Sequence, residues 1–171
     1  SEAMAAAGAE VTGLDMAGKA LSVARLHALQ SGTTVDYQEG TAEQLATTHP
    51  AHFRSVTCLE MLEHVASYPS TVAACAALTQ PGGDLFFSTI NRNPKAYALL
   101  ILGAEYVLNL LPRGTHDYQK FIKPSELCTA IRAAGLEVQE IKGMTYNPFT
   151  RACRIGDDVG ANYLVHAKKP L

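Results

Sequence analysis

The first half of the chain alternates between stretches typical of strands and stretches typical of helices. Residues 9–15, 33–38 and 53–60 form the short runs expected of strands, whereas residues 17–31 carry apolar side chains at helical spacing and stop at a glycine. Two parallel strands need a crossover between them, and that crossover is usually a helix. The alternation therefore predicts an α/β fold with a doubly wound, parallel sheet.

The remaining stretches predict further elements of the same kind. Thr41 is the predicted N-cap of a short helix, and the residues PGG at 81–83 predict a turn before a strand. A later helix begins at Pro124 and ends before Gly135, with a strand behind it. Other predicted segments are helices at 69–79 and 95–111 and strands at 84–90 and 161–169.

The overall composition excludes several classes of protein. The net charge is −2 over 171 residues, without the basic field that nucleic-acid binding needs. The four cysteines form no CxxC pair, so neither a zinc site nor a disulfide framework is expected, and a reducing cytosolic compartment is favoured. No charged-then-apolar leader and no apolar run of about 18 residues is present, so neither a signal peptide nor a transmembrane helix is expected.

The first predicted strand ends in Asp15. Ligands of open α/β sheets bind beyond the carboxyl ends of the strands, and a carboxylate there can accept hydrogen bonds from both ribose hydroxyls of a nucleotide. The alternative is that Asp15 only caps the helix over 17–31. Asn91 and Arg92 follow the predicted strand over 84–90 and are expected near the same cleft.

The stretch CLEMLEHV, residues 58–65, places two carboxylates and an imidazole after the third predicted strand. On a helical turn, Glu60, Glu63 and His64 would share one face because they are three and four residues apart. Carboxylate oxygens suit a hard cation such as Mg²⁺, and these groups also suit acid–base chemistry. The alternative is an ordinary helix start, where acidic side chains are favoured, with a histidine that is merely packed.

Several longer stretches, in this order along the chain, resemble the ubiquinone-biosynthesis O-methyltransferase family from end to end. This family is a branch of the class I S-adenosylmethionine-dependent methyltransferases, which have a Rossmann-like, mostly parallel sheet. Its members methylate catechol-type polyprenyl ring intermediates. The stretches that carry the resemblance are VTGLDM, ARLHA, CLEMLEHV, PGGDLFFSTINRN and GTHDYQKFIKPSEL.

The resemblance implies which residues bind the cofactor S-adenosylmethionine. Asp15 is expected to bind its ribose hydroxyls, with Met16 beside it, and Leu59 is expected to line the adenosine pocket. The family commonly has methionine where this chain has Leu59, and the exchange keeps an apolar wall.

The resemblance also implies a metal site and catalytic residues. Glu60, Glu63 and His64 match an acidic–histidine cluster that resembles the family's Mg²⁺ site, and Glu60 and His64 are the expected catalytic residues. A metal ion there would bind the catechol oxygens and lower the pKa of the attacking hydroxyl. Without a metal, His64 is the candidate general base.

The chain departs from the family pattern at its beginning. The family's cofactor site starts with an acidic residue and a Gly-x-Gly-x-Gly loop after a first strand, and this chain contains neither the loop nor that strand. The expectation is a methyltransferase truncated at its N-terminus. The missing strand would lie between the strand ending at Asp15 and the strand ending at Leu59.

Residues 1–171 are expected to form one methyltransferase domain in which residues 95–117 are an apolar insertion. This insertion is either a lid over the active site or a contact with a membrane surface, where Lys95 and Arg113 would meet anionic headgroups. The resemblance favours membrane association, which suits a polyprenyl catechol or demethylubiquinol substrate. It also implies peripheral association with the cytoplasmic inner-membrane face, or with its mitochondrial matrix counterpart in a eukaryote, and contact with other enzymes of the pathway.

Two alternatives to the methyltransferase remain open from the sequence. A nucleotide-dependent oxidoreductase would also use Asp15 but would not need the cluster of Glu60, Glu63 and His64. A non-catalytic fragment would retain membrane or partner binding, and the absence of the glycine-rich loop favours it.

Overall fold

The computed structural model describes residues 1–97, 117–147 and 152–171. These residues form two compact units, Ser1–Thr48 and His49–Leu171. Most of the predicted apolar insertion over 95–117 lies outside the described residues, as does most of the helix predicted over 95–111. In the part of the chain that the structure describes, no helix is both long enough and apolar enough to cross a membrane.

The first unit consists of short helices and one pair of parallel strands. Thr12 pairs with Asp36, and Asp15 pairs with Glu39. The predicted cap at Thr41 is confirmed, because the Thr41 hydroxyl accepts the Gln44 N–H at 3.2 Å and the Gln44 side chain accepts the Thr41 N–H at 3.0 Å. The elements of this unit are α1 (Glu2–Ala6), β1 (Thr12–Asp15), α2 (Gly18–Ser31), β2 (Asp36–Glu39) and α3 (Ala42–Thr48).

The second unit is a five-stranded sheet with helices packed on it. The helix α4 contacts α6, and both also contact strands of the sheet. A short 3-10 helix spans Tyr118–Lys120. The other elements are β3 (Phe53–Leu59), α4 (Tyr68–Leu78), β4 (Thr79–Ile90), α5 (Pro94–Ala96), α6 (Pro124–Ala133), β5 (Glu137–Asn147), β6 (Ala152–Gly156) and β7 (Asn162–Lys168).

The sheet of the second unit is mixed rather than mostly parallel. Its order is β3-β4-β7-β5-β6, and β3 and β4 run parallel. The pairs β4–β7, β5–β7 and β5–β6 are antiparallel. The α/β fold class is confirmed. Among the described strands, the parallel pairs are β1–β2 and β3–β4, and a helix connects the two strands of each pair.

Two strands differ from the sequence prediction. The residues PGG do not form a turn before the strand: β4 begins at Thr79 and continues through them with a register irregularity opposite β3, and Gly82 takes a φ of 74° that suits glycine. The strand β6 was not predicted. All five of its residues are exposed, so it lacks the alternation that identifies a half-buried strand.

The core of the second unit lies between the sheet and the two helices. In β7 every second residue is buried, and Tyr163, Val165 and Ala167 are fully enclosed. Leu127 and Ile131, four residues apart on α6, are also fully buried. Burial of a side chain of this size contributes about 1.5–3 kcal/mol. The paired and largely buried strands β4 and β7 carry the polar residues at their ends.

Candidate functional site

Asp15 lies at the end of β1, as predicted, and is exposed. Its Oδ1 accepts the Ala17 N–H at 2.7 Å, just before α2 begins, and its backbone carbonyl accepts the Gly40 N–H at 3.0 Å. Among the described residues, none donates a hydrogen bond to Oδ2. The helix-capping interpretation therefore accounts for one carboxylate oxygen and leaves the other available to a ligand. Met16 follows with 70% of its surface exposed.

The chain turns sharply after β3, at Glu60. This residue has a φ of 51°, a left-handed conformation that non-glycine residues rarely adopt. Its backbone N–H is held by two acceptors of Ser88, the carbonyl at 3.1 Å and the hydroxyl at 3.0 Å. Strain of this kind persists only where surrounding contacts impose it, and it is concentrated at functional sites.

The Glu60 carboxylate is held by residues distant in sequence. The Ser88 hydroxyl donates to Oε1 at 2.8 Å, and the Asn162 amide donates to Oε2 at 2.9 Å. Both donors are neutral and belong to β4 and β7. The carboxylate is therefore fixed in orientation by the two strands.

Glu63 is 5% exposed and accepts a hydrogen bond from the Thr89 hydroxyl on Oε2, at 2.7 Å. Ser88 and Thr89 are consecutive in β4, so their side chains point to opposite faces of the sheet. The two glutamates therefore make their hydrogen bonds on opposite faces.

The prediction that Glu60, Glu63 and His64 share one face of a helical turn is wrong. Residues 62–64 form a turn, and the left-handed Glu60 prevents a helix from starting at β3. His64 is exposed. Among the described residues, no three histidines, cysteines, aspartates or glutamates form a group that could hold a metal ion. The three residues in this conformation therefore do not fit a shared Mg²⁺ ion. Leu59, beside them, is 51% exposed.

A cavity of about 380 Å³ opens beside Glu63. Its size lies within the range of about 300–1,000 Å³ that is typical of small-molecule sites. The wall of the cavity combines buried apolar side chains with a few charged groups and hydroxyls. The lining residues are Leu62, Glu63, Val65, Ala66, Ser67, Tyr68, Pro69, Arg92, Gln119, Lys120, Phe121, Ile122 and Glu126.

An ion pair between Arg92 and Glu126 forms part of the cavity wall. Glu126 Oε1 contacts the guanidinium, while Oε2 accepts the Lys123 N–H at 3.0 Å at the start of α6. Tyr68 also lines the cavity. Burial raises the pKa of its hydroxyl, and the nearby Glu126 charge adds to this effect while Arg92 opposes it. Tyr68 is therefore a neutral donor at neutral pH.

The sequence prediction named Asn91 and Arg92 as neighbours of the cleft, and the structure gives them different roles. The Asn91 amide donates to the Val159 carbonyl at 2.8 Å, which ties the end of β4 to the loop before β7. Arg92 lines the cavity. The donors Ser88, Thr89 and Asn162 were missed. Ser88 and Thr89 could have been noticed as two hydroxyls directly after the apolar residues 85–87 of a predicted strand, whereas Asn162 gave no local signal.

Comparison with solved structures identifies the fold. A SAM-dependent methyltransferase from Methanosarcina mazei aligns with a TM-score of 0.72 at 17% identity, covering 99% of this chain and 86% of that one. One from Aquifex aeolicus aligns with a TM-score of 0.62 at 9% identity, covering 93% of this chain and 68% of that one. A family model described as "Methyltransferase domain" matches residues 1–141. The fold and this match define the class, the S-adenosylmethionine-dependent methyltransferases.

Curated relatives narrow the class to a family. "Ubiquinone biosynthesis O-methyltransferase" of Aromatoleum aromaticum is 62% identical over 171 residues, which are 100% of this chain and 73% of the relative. The protein of the same name from Pseudomonas aeruginosa, strain PAO1, is 58% identical over 169 residues, covering 99% of this chain and 73% of the relative. The chain belongs to the ubiquinone biosynthesis O-methyltransferase family.

Proposed function

We propose that this protein transfers a methyl group from S-adenosylmethionine to one hydroxyl of a catechol-type polyprenyl ubiquinone precursor, including demethylubiquinol. The observation that carries the proposal is the 62% identity, over the whole chain, to a relative named for O-methylation in ubiquinone biosynthesis. The cavity beside Glu63 supports it, because its apolar and polar groups suit an aromatic ring with oxygen substituents. The oxidoreductase and the non-catalytic fragment are not favoured.

The residues of this chain suit the two substrates in different ways. In the first unit, the available Oδ2 of Asp15 can accept hydrogen bonds from ribose hydroxyls, and the exposed Met16 beside it offers an apolar contact. In the second unit, Leu59 is half exposed and keeps its predicted role in lining the adenosine pocket. When bound, S-adenosylmethionine supplies an electrophilic methyl group. The methyl–oxygen bond forms as the methyl–sulfur bond breaks, and the phenolic proton passes to a base. Glu60 and His64 remain the predicted catalytic residues.

A magnesium ion belongs to the proposal only through the family resemblance. In the observed conformation the Glu60 oxygens already accept hydrogen bonds from Ser88 and Asn162, and one Glu63 oxygen accepts one from Thr89. Mg²⁺ binding at these residues would require new side-chain positions. Measuring activity after treatment with a chelator, and again after adding Mg²⁺, tests the requirement directly.

We also propose that the protein associates peripherally with the cytoplasmic face of a membrane through residues 95–117, most of which lie outside the described residues. The support is the apolar composition of this segment and the proposed polyprenyl tail of the substrate. Other enzymes of the same pathway are proposed as partners. Co-sedimentation with anionic liposomes, compared with neutral ones, tests the membrane contact.

The first experiment is a methyl-transfer assay with S-adenosylmethionine and a catechol that carries a short isoprenyl tail. We expect release of S-adenosylhomocysteine together with a product heavier by one methyl group in place of a hydrogen. Calorimetric titration with S-adenosylhomocysteine, with and without Mg²⁺, measures cofactor binding separately. Binding without transfer to any catechol would contradict the proposed acceptor, and absence of binding would contradict methyltransferase activity of this chain.

A further inference from the structure

The cavity beside Glu63 presents one strong hydrogen-bond acceptor and one strong donor to the same space. Glu63 Oε2 is occupied by the Thr89 hydroxyl, and among the described residues no donor contacts Oε1. Arg92 uses Nη2 for Glu126. Its other N–H groups have no acceptor among the described residues, and an arginine side chain has five in all. The cavity therefore combines an available carboxylate oxygen with available guanidinium donors.

Arg92 is held in place before any ligand binds. Glu126 contacts its guanidinium through Oε1 and is itself fixed through Oε2 by the Lys123 N–H at 3.0 Å. Pro124 begins α6 at this point, so the backbone that carries Glu126 belongs to a regular helix start. A pre-oriented guanidinium loses little further side-chain entropy when it forms another hydrogen bond.

The charges around Arg92 favour recognition by hydrogen bonding over a simple attraction of anions. Glu126 offsets the charge of Arg92, and Glu63 contributes a further carboxylate to a cavity that also contains Lys120. A strongly anionic ligand would meet these carboxylates. A neutral ligand that offers both an O–H donor and an oxygen acceptor meets a partner for each.

A ring with two neighbouring hydroxyls is such a ligand. One hydroxyl can donate to Glu63, and the adjacent oxygen can accept from Arg92. A ring with a single hydroxyl satisfies only one of these groups and leaves the other desolvated without a partner. Sites built to hydrogen-bond a substrate group reject analogues that lack the group, because the buried polar partner is left unpaired.

We propose that Arg92 is a specificity-determining residue that, with Glu63, recognises the two neighbouring oxygens of a dihydroxylated aromatic ring, and that Glu126 positions Arg92. This inference rests on the proposed function and deepens it: the family name specifies an O-methyltransferase, whereas the cavity assigns the preference for a vicinal diol to an individual residue pair.

The test measures binding of two probes by calorimetry in the presence of S-adenosylhomocysteine. One probe is a catechol with a short isoprenyl tail, and the other is the same compound without one hydroxyl. For Arg92→Met we expect catechol affinity to fall about 10- to 100-fold, because one hydrogen bond to a charged group is lost, while monophenol affinity changes less than about threefold. Arg92→Lys keeps the charge but not the planar fork and should give an intermediate loss.

Glu126→Gln tests the positioning role. The amide can still accept the Lys123 N–H but no longer pairs with the guanidinium charge, so we expect the catechol-to-monophenol affinity ratio to fall by less than in Arg92→Met. Arg132→Met is the matched control, since Arg132 is an exposed arginine on α6 outside the cavity. It should leave both affinities unchanged. Thermal melts of every variant identify any loss of fold.

The outcomes separate this inference from the proposed function. If the wild-type protein methylates catechols but Arg92→Met weakens both probes equally, the proposed function stands and the role of Arg92 is refuted. If neither probe binds while S-adenosylhomocysteine does, the proposed acceptor fails, and the inference fails with it. The inference is supported if the catechol-to-monophenol affinity ratio falls strongly in Arg92→Met, falls less in Glu126→Gln and is unchanged in Arg132→Met.

Discussion

The carboxylates at the ends of β1 and β3 are held in opposite ways. Asp15 depends on its immediate neighbourhood: its side chain accepts one hydrogen bond, from an N–H two residues away, and is otherwise exposed. Glu60 has a strained backbone, and both of its carboxylate oxygens accept hydrogen bonds from residues 28 and 102 positions away. The first arrangement leaves a carboxylate available to a ligand, whereas the second fixes a carboxylate through the tertiary structure.

This difference suggests different consequences of mutation. Replacing Asp15 should alter ligand binding with little effect on folding, because one local hydrogen bond is lost. Replacing Glu60 or its donors should alter both folding and the geometry of the turn after β3. The following experiments test this contrast, from the largest expected effect to the smallest.

The largest effect is expected from Glu60→Gln. The amide cannot accept hydrogen bonds at both former oxygen positions, and the predicted acid–base role is lost, so we expect kcat for methyl transfer to fall about 100-fold or more. Steady-state kinetics measures this fall. Glu137→Gln, an exposed glutamate at the start of β5, is the matched control and should have no effect. An unchanged kcat in Glu60→Gln would remove Glu60 from the predicted catalytic residues.

A somewhat smaller effect is expected from Asp15→Ala. Loss of a carboxylate that accepts ribose hydroxyls should weaken S-adenosylhomocysteine binding about 10- to 100-fold, because hydrogen bonds to a charged group contribute about 1.5–3 kcal/mol. Calorimetry measures the affinity. Asp36→Ala is the control, since Asp36 is exposed on the paired strand β2 and accepts a hydrogen bond from Gln38 at 2.6 Å. Equal losses in both variants would mean that Asp15 acts only through the fold.

Asn162→Leu should affect stability and turn geometry together. Removing the donor to Glu60 Oε2 is expected to lower the free energy of unfolding by about 2 kcal/mol, the order expected for a hydrogen bond to a charged group. Urea unfolding measures this change. In a Glu60→Gln background the same substitution should lower the free energy of unfolding by less, because the charged acceptor is already gone. Additive losses in the double mutant would show that Asn162 stabilises the fold independently of Glu60.

The smallest effect concerns pH and the surface of the second unit. A hydrogen bond from His166 at 2.9 Å is the main cause that lowers the pKa of Asp84, with Lys168 contributing. A carboxyl group whose pKa is lower in the folded protein stabilises the fold at pH values above its unfolded pKa of 3.8. This stabilisation is lost as the pH falls through the folded pKa. The urea midpoint of the wild type should therefore be higher than that of Asp84→Asn near pH 6. The difference between the two midpoints should shrink towards pH 3. A difference in urea midpoint that stays constant from pH 6 to pH 3 would show that the Asp84 charge is not the source of the stabilisation.

The same contrast explains which parts of the fold and the site the sequence could predict. The Thr41 cap and the Gly32 stop of α2 were predicted because each depends on residues within one turn of the chain. The position of Asp15 at the end of a strand was predicted for the same reason. The helical arrangement of residues 60–64 was wrong because the left-handed Glu60 is imposed by Ser88, which no local pattern reveals. Spacing predicts a shared face only where the backbone is helical.

The cavity shows the same limit on sequence reasoning. Arg92 and Glu126 are 34 positions apart, and their ion pair depends on the register of β4 and the start of α6. The sequence predicted Arg92 near the cleft because it follows a strand, and predicted the helix start at Pro124. It could not show that the two residues meet, because tertiary packing brings them together.

The hydrogen bond between Asn162 and Glu60 also bears on biosynthesis. A polypeptide leaves the ribosome from its N-terminus, so the turn after β3 is synthesised long before its partner 102 residues later. Closing so large a loop is slow relative to local contacts. The Glu60 carboxylate therefore reaches its final orientation only after Asn162 has been translated, so the completed turn forms later than the local contacts on either side of it.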